Sequence, residues 1–249
     1  YIMTVLYAIG FMFALRLPRT GTDRPRETTT IQELTEGLRY IRHNADVLAL
    51  LVLTLLATVL SMPYLFLLPM FTRDIFLVDV SIFGRFASLP LIGSLLLALG
   101  ESSARQGLLI SVSGLGALAG SLVVASMSSR KRGLIFLLSL LLTAVCLVAF
   151  SITGSYLLAL IIFVTMGLGQ AGRLALSNTL LLAKTDDIHQ GRVMSLYMMN
   201  WGITMVGVFF FSILADRVGV QLAVGGSAGL LAVITVYYLF LTPRIRRLD

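Results

Sequence analysis

Acidic side chains are scarce in this sequence, 12 Asp and Glu in 249 residues, and none lies deep inside an apolar run. Asp46 and Asp216 sit at helix ends and the rest fall in linkers, loops or the tail. The two histidines, His43 and His189, lie in polar stretches. No serine within an apolar run therefore has an acid or imidazole to activate it, which removes the constellation a membrane-embedded hydrolase or protease needs. That enzyme reading is the least favoured alternative, and neither a metal nor a cofactor is called for. Cys146 is the single cysteine, so no intrachain disulfide can form. Charged residues of both signs make up only 12% of the chain, too few for an ordinary soluble domain.

What is present instead is apolar: 57% of residues are hydrophobic and the mean hydropathy is +0.94. The chain reads as an all-α integral membrane protein whose surroundings are a lipid bilayer. Its formal net charge of +7 is spread in short basic clusters between apolar runs. That is the pattern of cytoplasmic loops, and no nucleic-acid partner is expected.

Residues 1–17 read as the end of a preceding transmembrane helix, since the apolar run before Arg16 is shorter than the ~20 residues a span requires. Residues 18–45 read as a cytoplasmic central linker; Arg19, Arg24, Arg26, Arg39 and Arg42 follow Arg16 closely. Thr30 and Glu33 form a capping box for a helix striped by Ile31, Leu34, Leu38 and Ile41, expected on the membrane face; a solvated connector is the alternative. Residues 46–243 read as a six-helix transmembrane bundle, with spans over 46–71, 104–127, 134–152, 156–183, 193–215 and 221–241. The first is expected to kink near Pro63 and Pro69, with Thr54, Thr58 and Ser61 on one side. Residues 244–249 read as a basic cytoplasmic tail.

Residues 80–104 read as an outer-side insertion. Its apolar part, 82–100, carries Arg85, Pro90 and Gly93. If it spanned, the later basic clusters would fall on the side opposite the first linker, so positive-inside bias favours the non-spanning version. The partial repeat of 93–105 (GSLLLALGESSAR) in 120–132 (GSLVVASMSSRKR) argues the other way.

The stretch 166–193 organises the rest, because it holds a charge inside an apolar run. Arg173 lies ten residues before Ala183, about 15 Å along a helix and so near the middle of a ~30 Å hydrocarbon core. Ionisable groups at that depth face a bundle interior or a wet cavity. Gln170, Arg173 and Ser177, with Asn178 beside them, give this helix a polar face, and they are the candidate substrate path. Asn200 and Trp201 are candidates across from it, each with an equal alternative as a helix-to-helix hydrogen bond and an interfacial aromatic; Tyr64 from the first span is a further one. Gly114, Gly116 and Gly120 form a small-residue stripe for helix packing. Arg130, Lys131, Arg132 and Arg192 are candidate cytoplasmic loop residues, for gating or topology. Residues 214–219, LADRVG, read as an outer turn with Asp216 and Arg217 as interfacial charges.

Four strings, LLPMF at 67–71, SGLGALAGSL at 113–122, GLGQAGRLALSNTLL at 167–181 and QGRVMSLYMM at 190–199, sit in order between the spans. In these the chain resembles the C-terminal half of a major facilitator superfamily transporter, in the branch of enterobactin and macrolide exporters. The resemblance implies the end of helix six, then helices seven to twelve as two inverted three-helix repeats. It implies a secondary active transporter that exports small amphipathic or apolar compounds by alternating access, in the cytoplasmic (inner) membrane of a prokaryote. It also implies a partner, an N-terminal six-helix half missing from this sequence, to close the substrate cavity. Proton coupling would need a carboxylate in that half. The loop at 120–133 lacks the acid that the family often carries there, which puts a charge-relay role for this copy in doubt. A non-transporting membrane fragment or scaffold is the alternative.

Overall fold

In a bilayer every backbone N–H and C=O must find its partner inside the chain, so long apolar runs fold as helices. The computed structural model describes residues 4, 7, 10–13, 30–76, 101–127 and 131–246. Two units separate, residues 1–35 and 36–249. The described residues of the first are all helical.

The elements are α1 (Thr30–His43), α2 (Ala45–Ser61), α3 (Pro63–Met70), a π-turn (Phe71–Ile75), α4 (Ser102–Ser126), α5 (Arg132–Ile152), α6 (Tyr156–Lys184), α7 (Gln190–Val218), α8 (Val220–Leu241) and the short α9 (Pro243–Arg246). Counting Ala45–Ile75 as one, six helices among the described residues are long and apolar enough to cross a membrane. Among the described residues the protein is all-α, with these six helices as its membrane spans.

The first span holds together across its prolines. Pro63 occupies the first turn of α3, where its missing N–H has no intrahelical partner to lose. Pro69 lies inside α3 and is followed at once by the π-turn, in which the Phe76 N–H reaches back to the Phe71 carbonyl. The Thr72 carbonyl, inside this π-turn, accepts a side-chain bond from Arg105.

Two expectations need correction. Residues 214–219 are not a loop: α7 runs through Asp216 and Arg217 to Val218, and only Gly219 turns the chain, with φ at +93°. A glycine adopts that angle without the penalty a Cβ would bring. The insertion drawn to residue 104 also ends too late, since α4 begins at Ser102. Its remainder over 82–100, most of the 1–17 segment, residues 18–29, Arg130 and residues 247–249 lie outside the described residues.

The second half of α1 is docked on protein. Ile41 is buried in the bundle core, the Tyr40 ring stacks on His189 with centroids 4.2 Å apart, and the Tyr40 hydroxyl donates to Asp186 Oδ2 at 3.2 Å. Arg192 Nη1 pairs with Glu36 Oε2 at 2.7 Å. The end of the linker helix thus clasps the α6–α7 connection, a contact that amphipathic periodicity alone does not distinguish from lying on lipid.

Inside the bundle, buried apolar residues form two clusters. One, at the linker end, gathers Val47, Leu50, Leu53 and Ala57 of α2 with Leu176, Leu180 and Leu181 of α6. The other is aromatic and gathers Tyr64, Phe71, Phe76, Phe150 and Phe163. Phe150 lies 4.5 Å from Phe71 and 5.1 Å from Phe163, ring centre to ring centre, which accounts for the density of that end. The α2 and α6 residues between the clusters, Thr58, Ser61, Gln170 and Arg173, are polar.

Helix α6 runs through the centre of the arrangement. A Cβ on Gly116 of α4 would overlap the Val164 carbonyl oxygen of α6, one on Gly120 would stand 2.6 Å from the Leu168 oxygen, and one on Gly167 would overlap the Ser113 oxygen. Backbone meets backbone here, as small residues in membrane helices permit. Gly169 and Gly172 press in the same way on Thr143 and Ser139 of α5. Gly114 does not join this contact and faces open space, which removes it from the expected stripe: two residues from Gly116 on a helix is the wrong face.

Candidate functional site

With two faces of α6 committed to α4 and α5, the third carries Gln170, Arg173 and Ser177 at helical spacing. This face meets α2, α3 and α7. Arg173 is 1% exposed and is the bulkiest fully buried side chain described.

Its Nη1 donates to Thr58 Oγ1 of α2 at 3.2 Å. The Thr58 hydroxyl spends its own proton on the Thr54 carbonyl one turn back, at 2.8 Å, and so faces its neighbours as an acceptor. Asn200 Nδ2 of α7 takes the other lone pair, also at 3.2 Å. One hydroxyl thereby joins three helices and is fully used. A turn towards the aromatic end, Gln170 Nε2 donates to the Tyr64 hydroxyl at 2.9 Å. A turn towards the linker end, the Ser177 and Tyr197 hydroxyls lie 3.2 Å apart.

The network is incomplete. Among the described residues, Arg173 Nε and Nη2 are buried without a partner, as are Asn200 Oδ1, Thr54 Oγ1, Ser61 Oγ and Asn178 Oδ1. Among the described residues no carboxylate pairs with Arg173. A buried cation whose donors are unmet costs several kcal/mol, roughly the scale of a protein's whole stability margin. Such a group persists where something other than the resting fold uses it.

Of the residues anticipated from the sequence, Gln170, Arg173, Ser177, Asn200 and Tyr64 lie in one continuous seam. Asn178 stands beside it with a buried, unbonded carbonyl. Trp201 does not enter: one position round α7 from Asn200, it is 47% exposed on the outer face. Lys131 holds a left-handed backbone at φ 66°, Arg132 opens α5, and Arg192 is tied to Glu36 in the linker clasp.

Three contributors escaped the sequence reading. Thr58 was visible only as one of several hydroxyls on a face. Tyr197 stands three residues before Asn200, a spacing that puts both on one side of α7. Arg105, in the first turn of α4, is buried as well, and its Nε and Nη2 donate to the Thr72 carbonyl at 3.2 and 2.8 Å.

The family model described as Major Facilitator Superfamily matches residues 75–248. The chain belongs to this superfamily. Arg173, Ser177, Tyr197 and Asn200 fall within the stretch matched to the superfamily, while Thr58 and Tyr64 precede it. A search of curated proteins and a search of solved structures found no match. As a superfamily member the protein is a membrane transporter of the secondary type and not an enzyme; among the described residues, no three His, Cys, Asp or Glu side chains group as a metal site.

Proposed function

We infer that the protein is an exporter of small amphipathic or apolar compounds, working by alternating access in the cytoplasmic membrane of a prokaryote. The observation that carries this reading is the Arg173 guanidinium, buried at mid-height in a polar seam with two donors unmet. A charge of that kind marks a path through a bilayer. Gln170, Arg173, Ser177, Asn178, Asn200 and Tyr64 line that path, and Trp201 flanks it at the outer face of α7. The exporter branch rests on the four sequence strings at 67–71, 113–122, 167–181 and 190–199.

A second six-helix half, on this chain or another, closes the cavity. The apolar, exposed faces of α4 (Leu115, Leu118, Leu122) and α7 (Val206, Phe209, Phe210) are its contact candidates. If export is proton-coupled, the titrating carboxylate belongs to that half, since the described spans place none beside Arg173. The test is flux of a fluorescent amphipathic dye in everted membrane vesicles carrying the full-length protein. Arg173→Ala is expected to abolish flux at near-normal membrane abundance, and Arg173→Lys, which keeps the charge and loses the planar fork, to keep part of it. Normal flux in Arg173→Ala takes this residue off the path.

A further inference from the structure

The two unmet donors of Arg173 are not an arbitrary pair. Nε–H and the adjacent Nη2–H leave the guanidinium on the same edge, and Arg105 demonstrates it in this protein by converging those two groups on one oxygen. Nη1 of Arg173 is already engaged with Thr58. What remains open is the side-on edge that matches the two oxygens of a carboxylate.

Next to the seam lies an apolar groove of about 170 Å3 between α1, α2 and α7. Leu38, Ile41, Val52 and Leu55 line it, and its polar members are Tyr197 and Asn200. Asn200 shares the Thr58 hydroxyl with Arg173, and the Tyr197 hydroxyl lies 3.2 Å from Ser177 Oγ, one turn of α6 from Arg173. The groove is below the ~300 Å3 of a complete drug-sized site but of the scale of a cavity that accepts a benzene-sized group, roughly 150 Å3. It holds the apolar part of a ligand and not the whole of one.

We propose that this seam and groove form one binding site for an anionic amphiphile, whose carboxylate pairs with the Nε/Nη2 edge of Arg173 and whose apolar body lies along Leu38, Val52 and Leu55. This deepens the exporter reading by naming the class of compound, and rests on it only for transport. Asn200 lines the groove and shares the Thr58 hydroxyl with the guanidinium, so swinging its amide off Thr58 would open the way and turn its free Nδ2 to the incoming carboxylate. The entering anion neutralises the charge that the resting seam leaves unpaired, so a carboxylate is favoured over an alcohol or an ammonium with the same tail.

The test is binding of radiolabelled dodecanoate to the full-length protein in phosphatidylcholine nanodiscs, against dodecanol and dodecyltrimethylammonium. Dodecanoate is expected to bind about tenfold or more tightly than dodecanol, the scale of a charged hydrogen bond, and dodecyltrimethylammonium more weakly than either. Arg173→Gln is expected to bring dodecanoate down to the dodecanol value, and Leu55→Trp, which fills the groove, to weaken dodecanoate and dodecanol alike. Equal binding of acid and alcohol, or an acid preference that survives Arg173→Gln, overturns the proposal; the first result means that a protein carboxylate already pairs with Arg173, the second that another cation holds the ligand. Flux separates the two readings. A carboxylate preference without flux of the dye or of dodecanoate leaves the site and sinks the exporter, whereas Arg173-dependent dye flux without that preference does the reverse.

Discussion

Arg105 and Arg173 are both buried arginines in apolar helices, and the fold treats them in opposite ways. Arg105 puts its Nε/Nη2 edge on the Thr72 carbonyl, in the π-turn at Phe71–Ile75. The Tyr156 hydroxyl donates to the Arg105 carbonyl at 3.0 Å, so α4, α6 and the end of the first span are pinned together at one point. Arg173 uses its Nη1 and leaves the matching edge open. At Arg105 a backbone carbonyl of the π-turn supplies an acceptor for that edge. At Arg173 the chain supplies a single hydroxyl already shared with Asn200. The contrast separates a fastening from a site more sharply than burial does, since both residues are equally hidden from solvent.

The largest effect is expected away from both arginines, at Gly116, and it calibrates the comparison. Gly116→Leu drives a side chain into the α6 backbone at Val164 and should remove most folded protein from the membrane, read by size-exclusion chromatography of a fluorescent fusion. Folded protein at the normal level means that the two helices part without loss and that the glycine contact is not structural. Next comes the crossing of the two arginines. Arg105→Ala strands the Thr72 carbonyl and should lower stability by about 2 kcal/mol, while Arg173→Ala discards an uncompensated charge and should leave the melting temperature unchanged or higher. A fall in melting temperature for Arg173→Ala as large as that for Arg105→Ala erases the distinction. Thr58→Val is smaller and tests the shared hydroxyl. It deprives both Arg173 and Asn200 of their acceptor while keeping the shape, and about 1 kcal/mol of stability should be lost, together with most of the dye flux. Unaltered flux in Thr58→Val means that Arg173 does not depend on α2 for its position.

Much of this was legible beforehand. Five of the six spans, 104–127 through 221–241, could be bounded to within three residues because apolar runs in a bilayer admit only helices. The isolation of Arg173 between Gly172 and Leu174 was enough to single it out. Arg105 was hidden for a physical reason: it stands at the edge of an apolar run, where cations ordinarily reach solvent, and its acceptor is a backbone carbonyl of another helix, 33 residues earlier, which no side-chain pattern reveals. The docking of Tyr40 on His189 was hidden likewise, because an amphipathic stripe gives a helix a wet face and a dry one without saying whether lipid or protein covers the dry one. Gly114 was over-read, since nearness in sequence to Gly116 stood in for a shared helix face.

The smallest expected effect is at Tyr197, and it bears on how far the open edge of Arg173 is insulated from the groove. The Tyr197 hydroxyl lies 3.2 Å from Ser177 Oγ, one turn from Arg173, while the ring lines the groove. Ser177 also donates to the Leu174 carbonyl at 3.1 Å, so loss of the phenol leaves Ser177 with a partner. Tyr197→Phe should therefore lose only about 0.6 kcal/mol, the usual yield of an interhelical hydrogen bond in a membrane, seen as a drop of roughly 2 °C in melting temperature. The ring keeps the groove filled and the Arg173 edge is untouched, so dye flux should stay within about threefold of normal, by the same energy converted to a rate. A larger fall in flux at unchanged stability means that the phenolic hydroxyl takes part in the site itself, and the polar seam then extends a full turn further towards the linker end than the two unmet donors of Arg173 require.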